Sequence, residues 1–213
     1  MGKGIYLANA GGDMAAAAGG MAKSLNGEGY EVGFYAPLVW GCDNVLESAV
    51  GLAREAAGLA QDASSLASYF YPATTPISEQ AVELQQGVDV DIVKSDCAMV
   101  RLMKDVTIVV GAAAPAEVLV YYKDGRTVKE SDLIKATGDL CVLVVPSGED
   151  AAHKTETTTR ALAEEGVKVD GVILTDLEEE DVVVEALVAA AAAAPLVACV
   201  NKAGVYTEKT PLV

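Results

Sequence analysis

Ile5-Tyr6-Leu7-Ala8-Asn9-Ala10-Gly11-Gly12-Asp13-Met14-Ala15 joins four strand-type apolar residues to a glycine turn and then to an alanine-rich run. The spacing predicts a strand over 5–8 and a helix over 13–25, stopped by Asn26-Gly27, with Gly29 leading into a second strand over 32–35. The same alternation continues to residue 200. Helices are expected over 44–60, 78–86, 90–103, 149–165 and 179–194, and buried strands over 106–110, 140–145, 171–174 and 196–200. Short β-branched runs alternating with longer helical stretches are the pattern of a βαβ chain. The expected fold is therefore three-layer α/β/α around a mostly parallel central sheet. Asp124-Gly125, between apolar runs at 117–122 and 127–128, predicts a small hairpin inserted beyond that sheet. Residues 1–202 read as one domain and 203–213 as a polar C-terminal tail.

Composition narrows the function classes. The 213 residues are 52% hydrophobic, enough to bury a full core, which excludes a disordered acidic chain. Thirty-one acidic side chains against 15 Lys and Arg leave a formal net charge of −16. That charge repels phosphodiester backbones and anionic lipid, so neither nucleic acid nor a membrane surface is an expected partner, whereas a protein with a basic surface is. The longest apolar run, 182–200, is broken by Glu185 and Pro195. Cys42, Cys97, Cys141 and Cys199 are far apart and form no C-x-x-C pair, which fits reduced, buried thiols and no metal site. A cytoplasmic protein is expected.

In open α/β sheets the loop after the first strand is the usual phosphate cradle. Its nucleotide-binding form, G-x-x-x-x-G-K-[ST], uses backbone N–H groups, a lysine and a hydroxyl that holds Mg²⁺. Here Asn9, Gly11 and Gly12 keep the turn, but Met14 and Ala15 stand where the lysine and hydroxyl belong, and Asp13 adds a negative charge. A unit charge about 4 Å from a phosphate charge costs about 1 kcal/mol in water and up to about 4 at a surface-like dielectric. The same carboxylate is well placed as a helix N-cap, worth about 1 kcal/mol. The expectation is a chain with no cofactor, with ATP and Mg as the alternative.

Further segments carry a resemblance. Gly29-Tyr30-Glu31-Val32-Gly33-Phe34-Tyr35-Ala36-Pro37-Leu38 is similar to a "G-Y-x-V-x-x-Y-K-P-V" motif, and 70–78 to a "P-x-S-P-H" substrate loop. Val109-Val110-Gly111-Ala112-Ala113-Ala114 is similar to "V-E-G-A-G-G", and Gly171-Val172-Ile173-Leu174-Thr175 to "G-V-I-x-N". In this order, across residues 4–202, the chain resembles dethiobiotin synthetase and its relatives, the cobyrinic acid amidating synthetases and the regulatory N-terminal domain of long phosphate acetyltransferases. The resemblance implies a P-loop fold and an ATP-dependent ligase site. At each position that would carry the chemistry the sequence departs: Met14 for the phosphate lysine, Ala15 for the Mg²⁺-binding threonine, Ala36 for the substrate lysine, Val110 for the metal-binding glutamate and Thr175 for the base-reading asparagine. Phosphoryl transfer depends on positioned cations, so their joint absence predicts lost turnover.

The expected object is a catalytically inactive regulatory or structural subunit that binds a protein partner in an enzyme complex. The alternatives are an ATP-dependent synthetase with its lysine supplied by a neighbouring chain, and a small-metabolite sensor. Candidate contact residues are Trp40, Tyr71, Tyr121 and Tyr122, with either a docking face or a vestigial pocket at 11–13, 36–40 and 74–78, and a homodimer is a further expectation from the resemblance. His153 and the acidic run 178–181 read as solvated helix positions.

Overall fold

The computed structural model describes residues 1–71, 87–115, 117–122, 125–178 and 182–213. Eight strands form one sheet: β1 (Lys3–Asn9), β2 (Val32–Trp40), β3 (Ala67–Tyr71), β4 (Val106–Val110), β7 (Leu140–Pro146), β8 (Gly171–Leu177), β9 (Leu196–Asn201) and β10 (Tyr206–Glu208). Their spatial order is β10-β9-β8-β7-β1-β4-β2-β3, all parallel except the antiparallel β9–β10 pair. Strands β5 (Val118–Tyr121) and β6 (Thr127–Lys129) pair separately, antiparallel, as the hairpin expected from sequence.

Strand β1 lies mid-sheet between β7 and β4, and its side chains alternate between two cores. Ile5 and Leu7 join Phe34, Ile108, Val142, Val144 and Ile173 on one face, covered by α1 (Met14–Gly27) and α2 (Ala49–Ala56). Tyr6 and Ala8 join Tyr35, Val109, Leu143 and Leu174 on the other. There the cover is α3 (Val90–Leu102), α4 (Glu130–Thr137), α5 (Ala151–Glu164) and α6 (Val182–Ala192), through Val93, Leu133, Leu162 and Val188. Both faces are covered, so the central strands are near-continuous apolar runs rather than alternating with polar residues. Three layers result.

Four local expectations are corrected. The helix expected over 44–60 is a 3₁₀ turn, Val45–Glu47, followed by α2. Asn44 caps the turn by accepting from Leu46 N–H, and Ser48 caps α2 through Gly51 N–H, so two side-chain caps divide the run. Strand β2 runs to Trp40 rather than 35 because β3 extends the ladder on its far side. Helix α4 was not expected; Asp132 in its first turn reaches back, its Oδ2 accepting from Lys129 N–H (3.0 Å). Segment 203–213, expected as a tail, supplies β10 and packs Tyr206 and Leu212 on the α1 face. The helix expected over 78–86 lies outside the described residues.

Candidate functional site

At the carboxyl end of the sheet, Asn9 closes β1, Ala36 lies within β2, Val110 closes β4 and Met14 opens α1. The topology brings all four to one cleft of about 310 Å³, which Trp40 and Ala112 also line and Glu47 flanks. Parallel strands that neighbour in space deliver their C-terminal ends to the same crevice although 100 residues separate them in sequence. Among the described residues no lysine, arginine or histidine lines it.

The glycine turn is bonded to its own chain. Ala10 N–H and Gly12 N–H donate to Val144 O (3.0 and 3.3 Å), Gly11 N–H to Asn9 Oδ1 (2.7 Å), and Asp13 N–H to Thr175 Oγ1 (3.0 Å). Asp13 in turn caps α1, its Oδ1 accepting from Ala16 N–H (2.9 Å). Thr175 donates its own hydroxyl hydrogen to Asp176 Oδ2 (2.8 Å), and Asp176 sits in left-handed backbone at φ 61°. A Cβ on Gly12 would stand 2.8 Å from Thr175 Oγ1 and 2.9 Å from Val144 Cγ1, so the turn lies flat on β7 and β8. Four successive N–H groups that a phosphate cradle would present are thus committed inside the chain.

Behind the cleft lies a carboxyl group that the sequence reading missed. Glu130, the first residue of α4, is fully buried. Its Oε1 accepts from Tyr6 O–H (2.5 Å) and from Ala112 N–H (3.0 Å), which ties α4 to the loop after β4. Its Oε2 has no hydrogen-bond partner among the described residues. Burial raises the Glu130 pKa to about 7 against the pull of these donors, and burial with the adjacent carboxylate pushes the Tyr6 phenol well above its usual range. An acidic residue at the start of a helix reads from sequence as solvated, so no local signal marks it.

Trp40 and Tyr71 end neighbouring strands with ring centroids 5.3 Å apart, and Tyr69 stacks on Tyr71 at 6.4 Å. On the hairpin Tyr121 is exposed, whereas Tyr122 turns inward and its O–H donates to Val88 O (2.9 Å) under the Arg126 guanidinium. Tyr122 is thus half-buried and packs against its own chain, whereas Tyr121 is the more exposed of the pair. Residues 74–78 and 179–181 lie outside the described residues. Among the described residues no cluster of metal-ligating side chains occurs, and no helix is long and apolar enough to cross a membrane. His153 is exposed on α5, and the four cysteines are free, all but Cys42 buried.

A parallel α/β/α sheet with a glycine turn after β1 is the architecture of P-loop NTPase folds among others. The chain belongs to the AAA domain family, whose model matches residues 15–210. Among solved structures it is similar to the signal recognition particle 54 kDa protein of Aeropyrum pernix in complex with GDP, at 16% identity and TM-score 0.59, over 98% of this chain and 44% of that one. It is similar to the signal recognition particle receptor FtsY of Elizabethkingia anophelis in complex with GDP, at 14% identity and TM-score 0.59, over 99% and 61%. The MinC:MinD cell division complex of Aquifex aeolicus matches at 13% identity and TM-score 0.54, over 94% and 81%. At these identities the likeness is one of fold, and the chain spans less than two thirds of the first two proteins. No curated protein matches it.

These findings correct the expectation of a chain with no cofactor. The fold is that of nucleotide-binding proteins, two of them solved with GDP, so a nucleotide is the group the fold implies. The loop residues of this chain do not fit the contacts of a metal-bound triphosphate as they stand. Among the described residues no cation lines the cleft, and the N–H groups of 10–13 already have acceptors within the chain.

Proposed function

We propose that this chain is a P-loop-fold domain of the dethiobiotin-synthetase-like kind that does not turn over nucleoside triphosphate and works in the cytoplasm by binding a protein partner. The observation that carries this reading is the self-bonded turn: 10–13 donate to Val144 O, Asn9 and Thr175 rather than outward. Turnover needs cations and donors aimed at developing charge, and removal of one such group typically costs 10²–10³ in rate. Here the lysine, the hydroxyl and the carboxylate are all replaced. The net charge of −16 supports a basic partner surface, because steering depends on complementary fields.

The test is phosphate release from MgATP and MgGTP by the full chain, beside calorimetric titration with MgATP and MgADP and recovery of bound protein from native lysate. The expected result is release at the buffer background with a stoichiometric co-purifying protein. Nucleotide binding without release fits the reading. Saturable release overturns it and favours a second reading, an ATP-dependent synthetase, which the convergence of Asn9, Met14, Ala36 and Val110 on one cleft supports.

A further inference from the structure

Helix α6 inverts the usual arrangement of a surface helix in an acidic protein. Its one charged residue, Glu185, faces inward, where Lys209 Nζ lies 3.3 Å from Oε2 and Cys199 Sγ lies 3.6 Å from Oε1. Its outer face is apolar: Val182, Val183 and Leu187 are 71, 69 and 53% exposed, with Ala186 and Ala190 exposed beside them. Neighbouring α5 does the opposite, exposing His153, Lys154, Glu156, Arg160 and Glu164. At the start of α6 the apolar face continues into a cleft of about 830 Å³ between the loop after β7, the end of β8 and the helix.

The other wall of that cleft is acidic. Among the described residues Glu149, Asp176 and Glu178 line it against one cation, Lys202, whose Nζ is 2.5 Å from Glu178 Oε1. Among the described residues Glu149 and Asp176 are in no ion pair. An apolar ridge spaced i, i+4, i+5, i+8 at 182, 186, 187 and 190 matches the grooves of a packed helix, and Ala186 and Ala190 let its backbone come close. Carboxylates at one end of that ridge select the charge of what packs there.

We infer that the outer face of α6 and the adjoining acidic cleft dock an amphipathic helix of a partner protein, its apolar stripe on Val182, Ala186 and Leu187 and its Lys or Arg side chains against Glu149 and Asp176. This rests on the reading that the chain works through a protein partner, and it places that contact away from the cleft around Asn9 and Met14. A second copy of the chain would bring the same carboxylates together, and like charges oppose that pairing.

The probe is a fluorescein-labelled 18-residue amphipathic peptide of leucine and lysine, titrated into the full chain by anisotropy. Its acidic leucine–glutamate counterpart and a scrambled leucine–lysine peptide serve as comparisons. Saturable binding is expected for the basic amphipathic peptide alone, weakened tenfold or more in a V182S/L187S variant. It should be unchanged in M99S/L102S, which alters another exposed apolar stripe, on α3. Equal loss in both variants, no loss in V182S/L187S, or equal binding of the acidic peptide overturns the proposal. So does a wild-type dimer in sedimentation that V182S/L187S converts to monomer. If a co-purifying protein stays bound to V182S/L187S, the surface is wrong while the partner-binding reading stands.

Discussion

Replacing Glu130 by Gln will flatten the dependence of stability on pH between about 4.5 and 7. In the folded chain the Glu130 carboxyl holds its proton up to a pKa of about 7, whereas the unfolded chain releases it near 4.5. The native state therefore binds more protons across that window, so the stability contributed by this group is fully present below about 4.5 and is lost as pH rises through 7. A shift of this size is worth about 3 kcal/mol. The physical cause is burial: two donors converge on Oε1, Oε2 has no hydrogen-bond partner among the described residues, and a second carboxylate, Glu117, adds to the shift. Urea unfolding of both proteins at pH 4.5, 6, 7 and 8 measures it. The expected difference between E130Q and wild type moves in favour of the variant by about 3 kcal/mol across the window, while other titrating groups cancel in the comparison. Parallel profiles would show that Glu130 is solvated or paired in the folded protein.

A chain ending at Lys202 will be less stable by on the order of 4 kcal/mol, although the removed residues read as a polar tail. Three losses combine. The β9 edge loses its antiparallel partner, with Thr207 opposite Cys199 and Glu208 opposite Ala198. Tyr206 and Leu212 leave the apolar surface of Ile5, Met21, Leu25 and Val197, which becomes wet. Glu185, nearly buried, loses the Lys209 ammonium and becomes a carboxylate without its cation. Gly20 records the same contact from the other side, since a Cβ there would stand 2.5 Å from the Tyr206 ring. Thermal and urea unfolding of the truncated chain check this, and an unchanged midpoint would mean that the segment contributes nothing to the fold.

The two expectations that failed most clearly have different causes. Residues 203–213 lack the period-2 run that announces a strand, yet three of them complete a sheet because an exposed β9 edge and an apolar α1 surface are waiting for them. The break at Ser48 was missed for the opposite reason: the apolar spacing of 44–60 is helical throughout, and only the Asn44 and Ser48 caps divide it. The candidate site was legible in part. The sequence singles out Asn9, Met14, Ala36, Val110 and Thr175 one by one, through departures from a motif. Thr175 proved to hold the turn rather than to line the cleft, because its hydroxyl reaches Asp13 N–H.

Local periodicity was enough for the alternation of strand and helix, for the three layers and for the glycine turn after the first strand, because each depends on residues within a few positions of one another. Strand order, the meeting of residues 9, 14, 36 and 110 in one cleft, the burial of Glu130 and the outward apolar face of α6 arose only in the folded chain. Each is a contact, or the lack of one, between segments far apart in sequence. Which of two apolar faces is covered depends on what the rest of the chain places beside it, and no local pattern carries that information.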